Sequence, residues 1–218
     1  MNFCPSERYP AKSQAGMVLL LCLLFLTALT LLGLSASADV VLQNQLAANL
    51  QESERAKQSA LAALSWAEDW LLELQGTAPE PCLTPCEGFK LHPRGNLLPH
   101  PEFEDLSWWQ TQGYEAGIDP LTGNRLLSFA ANNANPPMWI VEVVHEIPAS
   151  DNGSTDALTD APTDAPTDAL AWYRIVARGN GQTDTAISVV ESIVKKSWPA
   201  ADSTNTGNGG RVSWRELR

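Results

Sequence analysis

The stretch MVLLLCLLFLTALTLLGLSASA, residues 17–38, decides the fold of this chain. It carries no charged side chain, and none occurs between Lys12 and Asp39. A helix of about 22 residues extends about 33 Å, enough to cross a hydrocarbon core of about 30 Å. Its hydroxyl groups are tolerable in lipid because a helical Ser or Thr bonds back to its own backbone. The sequence therefore predicts one transmembrane helix over residues 17–38.

The charges on either side of this stretch predict its orientation. Arg8 and Lys12 precede it, whereas the first charges that follow, from Asp39 onward, are acidic. Positive residues favour the cytoplasmic side, so the short N-terminus is expected in the cytoplasm and the rest outside. A secretory signal peptide is the alternative, because Ala36-Ser37-Ala38 fits a small-x-small cleavage site. Against it, the apolar run exceeds the usual signal core of about 7 to 15 residues, and the helical pattern continues past the cut.

Residues 39–75 continue the helix in amphipathic form. Leucines recur at three- and four-residue steps, polar side chains fill the other side, and neither Gly nor Pro occurs in the segment before Gly76. One helix over residues 17–75 would be about 88 Å long. Its apolar stripe is rich in Ala and is not a sustained heptad, which argues against a plain coiled-coil stalk.

Residues 76–218 are predicted to form a globular α+β region. Three runs rich in Val, Ile, Trp and Tyr indicate strands at Met138–Ile147, Ala171–Gly179 and Thr185–Lys196. Gly179-Asn180-Gly181 is a candidate hairpin turn, and residues 118–124 indicate another turn. Aromatic side chains between the helix and the strands are expected to fill a thin core: Trp108, Trp109 and Tyr114. The predicted fold class is α+β, with an antiparallel sheet of at least three strands packed on the outer half of the long helix.

A four-residue repeat lies between the first two predicted strands. Residues 155–170 read TDAL, TDAP, TDAP and TDAL, and the acidic, Pro-containing composition predicts a disordered loop over residues 150–170. Spaced Asp residues suggest calcium, but the Gly and the terminal Glu of a calcium-binding loop are missing.

The net charge of -11 and the pI near 4.6 argue against a nucleic-acid partner. A small basic cluster near the C-terminus is interpreted as a solvated edge and tail. It consists of Lys195, Lys196, Arg211, Arg215 and Arg218.

The four cysteines divide by their predicted compartment. Cys4 would be cytoplasmic and Cys22 would lie within the bilayer, so Cys82 and Cys86 share the oxidising side, where a disulfide persists. Free thiols are one alternative to that bridge. A zinc site with His92 and His100 is another, but the spacing does not match the common zinc-finger pattern.

Catalytic motifs are missing from the sequence. It contains no Gly-x-Ser-x-Gly elbow and no His-Glu-x-x-His helix, and its three histidines show no partner nucleophile or carboxylate. His145-Glu146, at the end of a predicted strand, is interpreted as surface. We expect no enzyme activity, no cofactor and no bound metal.

The N-terminal third carries a family resemblance. Gly16 followed by MVLL, the segment LLGLS at residues 31–35 and NQLAANL at residues 44–50 resemble the start of PilX-type minor pilins of type IV pili. The likeness covers residues 14–75, continuing through Ala60, Leu61, Leu64, Ala67 and Glu68, and returns weakly near residues 137–142 and 178–192. It implies a leader of residues 1–16, cut by prepilin peptidase between Gly16 and Met17, and a methylated Met17.

The resemblance also implies a role and partners. A pilin-like chain of this kind co-assembles with other minor pilins and the major pilin, primes pilus growth, and moves from the inner membrane, with its C-terminal domain in the periplasm, to the pilus tip. Close helix packing in lipid is expected at small residues and at the fifth mature position: Leu21, Ala28, Gly33 and Ala36. Major pilins carry Glu where this chain has Leu21. A minor pseudopilin of type II secretion and a membrane-tethered periplasmic binding protein or enzyme are the alternatives.

Overall fold

The computed structural model describes residues 15–82, 89–95, 100–129, 133–147, 169–199 and 209–218, without the side chains of residues 15, 16, 35, 36 and 38. The described residues form two α-helices, α1 (Ala15–Glu73) and α2 (Leu106–Gln112), and a 3₁₀ turn at Pro101–Phe103. Six strands are β1 (Leu91–His92), β2 (Tyr114–Glu115), β3 (Met138–Ile147), β4 (Ala169–Asn180), β5 (Ile187–Trp198) and β6 (Gly209–Glu216). The chain is therefore α+β, with a long N-terminal helix and a C-terminal sheet.

The chain divides into two compact units, Met1–Asn49 and Leu50–Arg218. All described residues of the first unit belong to α1, which is 59 residues long. The helix ends at Glu73, two residues before the predicted end, and Gly76 follows with a left-handed φ of 98°. Gly adopts this conformation without steric cost, which explains why the chain turns there.

The sheet of the second unit is mixed, so the prediction of an antiparallel sheet is wrong in one respect. Its order is β1-β3-β4-β5-β6, with β2 also paired to β3. The pairs β3–β4, β4–β5, β5–β6 and β2–β3 are antiparallel, whereas β1 is parallel to β3. A two-residue strand is too short to show a period-2 pattern, so its direction was not readable from the sequence.

The three predicted strands are confirmed, and β6 was missed. Its residues are mostly polar or glycine, and its two large apolar side chains are exposed, Val212 by 58% and Trp214 by 42%. An edge strand with neither face fully buried lacks the alternating pattern that identifies strands in a sequence.

The predicted turn at residues 118–124 is confirmed: the Gly123 amide donates to the Asp119 carbonyl at 2.8 Å, and the Asp119 amide donates to the Asn124 carbonyl at 2.9 Å. The hairpin turn is displaced from its prediction. Gly179 and Asn180 end β4, and the chain reverses after Gly181, whose amide donates to the Ala186 carbonyl at 2.8 Å.

A stripe of alanines lets α1 lie very close to the sheet. Ala56, Ala60, Ala63 and Ala67 follow each other at three- and four-residue steps and are fully buried. A Cβ at Gly179 would lie 2.2 Å from the Ala60 nitrogen and 2.4 Å from the Ala56 oxygen. Gly179 is therefore glycine because the helix backbone occupies the space that a side chain would need. The core then extends along the sheet through Leu64, Leu71, Tyr173, Ile175, Val190 and Val194.

α2 packs on the other face of the sheet. Asp105 begins this helix, accepting from the Trp108 amide at 2.8 Å. Trp109 is fully buried and packs with Met138, Ile140, Val176 and Val189, which agrees with its predicted core role.

Two arginines of the basic cluster are paired, which corrects their interpretation as a solvated tail. Glu68 of α1 accepts from the Arg211 guanidinium at 2.9 Å, and this hydrogen bond raises the pKa of Arg211. Glu191 accepts from Arg215 at 2.9 Å and from Arg174 at 2.6 Å. Because Glu68 and Glu191 are buried, the arginines fasten β6 to α1 and β5.

Lys196 departs furthest from that interpretation, because only 2% of its surface is exposed. Its Nζ donates to the carbonyls of Leu71 at 2.6 Å, Leu72 at 3.2 Å and Leu74, and lies 4.0 Å from the centre of the Trp198 ring. Leu71 and Leu72 lie in the last turn of α1, where carbonyls have no partner within the helix and favour a positive charge, and Leu74 follows the end of the helix. Burial lowers the pKa of Lys196 to about 8, so the ammonium persists at pH 7.

Replacing Gly179 with Ala is expected to lower the free energy of unfolding by about 3 kcal/mol, the upper end of the usual cost of overpacking, because the new methyl group overlaps the α1 backbone. Gly210→Ala is the matched control, since a Cβ there meets nothing within 4 Å. Urea unfolding of the full chain in detergent, followed by tryptophan fluorescence, measures both. Equal midpoints for the two variants would show that the close approach is not a packing constraint.

The depressed pKa of Lys196 predicts a pH dependence with a definite sign. Unfolding returns this pKa from about 8 toward 10.5, so between these values the unfolded chain binds more protons. The free energy of unfolding attributable to Lys196 therefore rises with pH in that interval, by at most about 1.4 kcal/mol per pH unit, and is flat below it. Urea titrations at pH 7 and pH 9 of the native chain and of Lys196→Met isolate this contribution; identical pH dependences for the two would contradict it.

Candidate assembly surface on the N-terminal helix

The apolar side chains of α1 in the first unit are exposed. From Met17 to Leu34 the large ones expose between 50% and 74% of their surface. A protein surrounded by water rarely leaves so large a continuous apolar surface uncovered. Among the described residues there is one helix long and apolar enough, by length and composition, to span a membrane, and this is it.

The hydroxyl groups of this segment are satisfied by the helix itself. Thr27 donates to the Leu24 carbonyl at 2.9 Å, Thr30 to the Thr27 carbonyl at 2.8 Å and Ser37 to the Gly33 carbonyl at 2.8 Å. The expected back-bonding is confirmed at these three positions, and the Ser35 side chain lies outside the described part. The helix thus presents no unpaired side-chain hydroxyl at these positions to lipid.

The four predicted packing residues do not share one face of the helix. Leu21 and Ala28 are seven residues apart and lie nearly in line, whereas Gly33 lies about 140° further round. Space around Gly33 is open, since a Cβ there meets nothing within 4 Å, and Leu21 is 50% exposed. The side chain of Ala36 is outside the described part. Contacts at all these positions need at least two neighbouring helices.

The predicted cleavage position lies at the start of α1. Gly16 and Met17 are its second and third residues, and Met17 is 71% exposed. Leu21 is the fifth residue counted from Met17, and the first carboxylate after it in the sequence is that of Asp39. A mature chain beginning at Met17 would have no negative charge in its first 22 residues.

The exposed apolar surface continues beyond the charge-free stretch. Past Asp39, exposed fractions are 54% for Val40, 56% for Val41, 58% for Leu42 and 59% for Leu46. These residues follow the predicted span, where lipid no longer covers side chains. Sequence reasoning predicted their amphipathic pattern but could not tell whether the chain's own globular part covers the apolar side.

The cysteine and histidine candidates are only partly described. Cys82 is disulfide-bonded, but Cys86 lies outside the described residues, so their pairing stays a prediction. His92 Nε2 lies 2.9 Å from the Gln112 carbonyl, and His100 Nδ1 lies 3.0 Å from Glu102. Within the described ranges no group of three His, Cys, Asp or Glu side chains is placed to hold a metal.

An open cavity of about 520 Å³ lies in the second unit beside α1. Its lining side chains are Arg55, Gln58, Ser59, Ala62, Phe129, Asn133 and Gln182. The Ser59 hydroxyl accepts from Asn133 at 2.9 Å, and none of the described lining residues is a His, Cys, Asp or Glu that could act as a base. The described part of the wall therefore offers hydrogen bonds but no activated nucleophile.

No protein-family model, curated protein or solved structure significantly matches this chain. The likeness to minor pilins therefore rests on the residues quoted from the sequence, and the candidate assembly surface rests on the exposed apolar side chains of α1.

Proposed function

We propose that this chain is a PilX-type minor pilin, which joins other minor pilins through α1, primes the assembly of a type IV pilus and lies at or near its tip. The observation that carries the proposal is the exposed apolar surface of α1, which extends past Asp39 to Leu46. Lipid can cover residues 17–38, but the part beyond needs protein partners. Helices of similar chains, emerging side by side from the same membrane, provide such partners.

The missing carboxylate at Leu21 supports a terminal position in the assembly. In a repeating subunit, a Glu at this place can meet the terminal amine of a neighbour through a charge-assisted hydrogen bond. A leucine offers no such acceptor, so the next subunit gains less by adding on this side. In lipid the missing hydrogen bond makes the free energy of association much less favourable, because an unpaired terminal ammonium is costly there.

The processing that this function requires begins at the leader. Prepilin peptidase would cut between Gly16 and Met17, leaving Met17 as the methylated N-terminus of α1. The uncut chain would lie in the inner membrane with residues 1–16 in the cytoplasm and its second unit in the periplasm. Removal of the leader removes Arg8 and Lys12, the charges that hold the N-terminus on the cytoplasmic side.

Mass spectrometry of the membrane-extracted protein tests the processing. We expect a chain lacking residues 1–16 with a methyl group on Met17, and an uncut chain for Gly16→Lys. Ala15→Ser is the matched control and should be cut normally. An N-terminus at Asp39 would identify a signal peptide, and an intact Met1 in the native chain would leave a plain membrane anchor; either result contradicts the proposal.

Co-purification tests the assembly surface. Leu42→Gln with Leu46→Gln should lower the recovery of other minor pilins at least about tenfold, because two side chains exposed by 58% and 59% lose their apolar contact. Membrane retention should persist, since residues 17–38 are unchanged. Asn44→Ala with Gln51→Ala is the control, because these exposed polar residues lie on the opposite side of the same helix.

Unchanged recovery of partners with the leucine variant would contradict the role of this surface. Recovery of secretion-system components in place of pilins would assign the chain to a type II secretion pseudopilin.

A further inference from the structure

Arg178 on β4 is a buried cation that no carboxylate of the described residues neutralises. Only 5% of its surface is exposed. Its guanidinium donates one hydrogen bond, from Nη1 to Asn180 Oδ1 at 2.9 Å, and forms no ion pair within the described ranges. By contrast, Arg174 on the same strand is paired with Glu142 and Glu191. A buried guanidinium is costly unless its charge and its other donors are satisfied.

A second donor beside Arg178 also lacks an acceptor. Asn180 is fully buried, and its Nδ2 has no hydrogen-bond partner in the described part of the chain. Because Oδ1 of the same amide accepts from Arg178, Nδ2 lies next to the guanidinium. A buried amide nitrogen in a folded protein is normally bonded to protein, to water or to an ion. The two side chains thus place unbonded N–H groups side by side.

Arg218 brings a second positive charge to this region. Val189 of β5 is in register with Arg178, its amide donates to the Arg218 carbonyl at 2.8 Å, and its carbonyl accepts from the Arg218 amide at 3.2 Å. The Arg218 guanidinium donates to the Glu102 carbonyl at 3.1 Å. Burial, and next the charge of Arg218, lower the pKa of Arg178. The two guanidinium groups therefore repel each other, and an anion close to both would offset this repulsion.

Two aspartates act on Arg178 from a distance without bonding to it. The charges of Asp184 and Asp105 raise its pKa, but burial has the largest effect and lowers it. Both carboxylates are bonded elsewhere, Asp105 to the Trp108 amide at 2.8 Å and Asp184 to Asn135 Nδ2 at 2.7 Å. Neither aspartate therefore supplies the acceptor that the buried guanidinium needs.

We propose that Arg178 and Asn180, with Arg218 beside them, bind one small oxyanion of the phosphate or sulfate class. The ligand is an anion because the unbonded groups are N–H donors and two of the three side chains are cations. It is small because so little of Arg178 is exposed. An oxyanion suits a guanidinium because the planar fork of N–H groups matches two oxygen atoms. All three residues belong to the second unit, so the site is independent of assembly through α1.

Equilibrium dialysis of the full chain in a nonionic detergent against radioactive inorganic phosphate tests this site. We expect saturable binding of one phosphate per chain, and displacement by sulfate at constant ionic strength, because donors alone need no proton on the ligand. Asn180→Asp should weaken binding at least about tenfold, since the new carboxylate pairs with Arg178 and removes the Nδ2 donor. Asn124→Asp is the matched control, because it adds the same charge at an exposed position of the turn.

Urea unfolding gives an independent readout of the same site. Phosphate should raise the urea midpoint of the native chain and of Asn124→Asp, since a ligand of the folded state stabilises it, and should leave the midpoint of Asn180→Asp unchanged. Absence of saturable binding to the native chain would overturn the proposal, and so would failure of sulfate to displace phosphate. Equal binding by the native and Asn180→Asp chains would also overturn it, by identifying an adventitious ion only.

Discussion

The close approach of α1 to β4 is the constraint on which the second unit depends. At Gly179 the helix backbone lies where any other residue would place its Cβ. The approach is possible because the helix presents alanines, fully buried from Ala56 to Ala67, and the strand presents a glycine. Larger leucines and aromatic residues then fill the wider part of the core toward Trp198. A helix held so closely can also be fastened at its end, where Lys196 meets the last carbonyls.

The two parts of α1 have different solvation problems, and their sequences show it. Over residues 17–38 the helix carries no charge and is apolar on nearly all sides, and its described side chains are exposed. In the second unit the same helix has a small-residue face toward the sheet and polar residues such as Glu52 and Lys57 elsewhere. A helix that is apolar all round needs lipid or other helices, whereas one with a single narrow apolar face is satisfied by its own domain. The proposed assembly role assigns the two parts to these two tasks.

The sequence predicted the elements with strong periodic signals. These elements are the long helix, the inner strands and the turn near Asp119. They were predictable because a long charge-free run, runs of β-branched residues and a Gly-Asn pair each favour one local conformation. β1 and β6 could not be read, since pairing of a two-residue strand and of an exposed edge depends on contacts distant in sequence. The buried position of Lys196 was missed for the same reason: nothing local distinguishes it from Lys195. The apolar pattern of the candidate assembly surface was predictable, but the exposure of Val40, Val41, Leu42 and Leu46 could be known only from the structure.

The outer edge of the sheet has a further consequence. The pairing of β6 with β5 shifts in register between Ile193 and Val194, and Arg211 and Arg215 of β6 are already bonded to buried glutamates. Irregular pairing and charge make such an edge a poor template for an additional strand. Chains that accumulate side by side in a membrane have a high local concentration, at which exposed edge strands of different chains would pair and aggregate. In the proposed assembly, this edge would therefore leave association to α1 and not to pairing between the sheets of neighbouring chains.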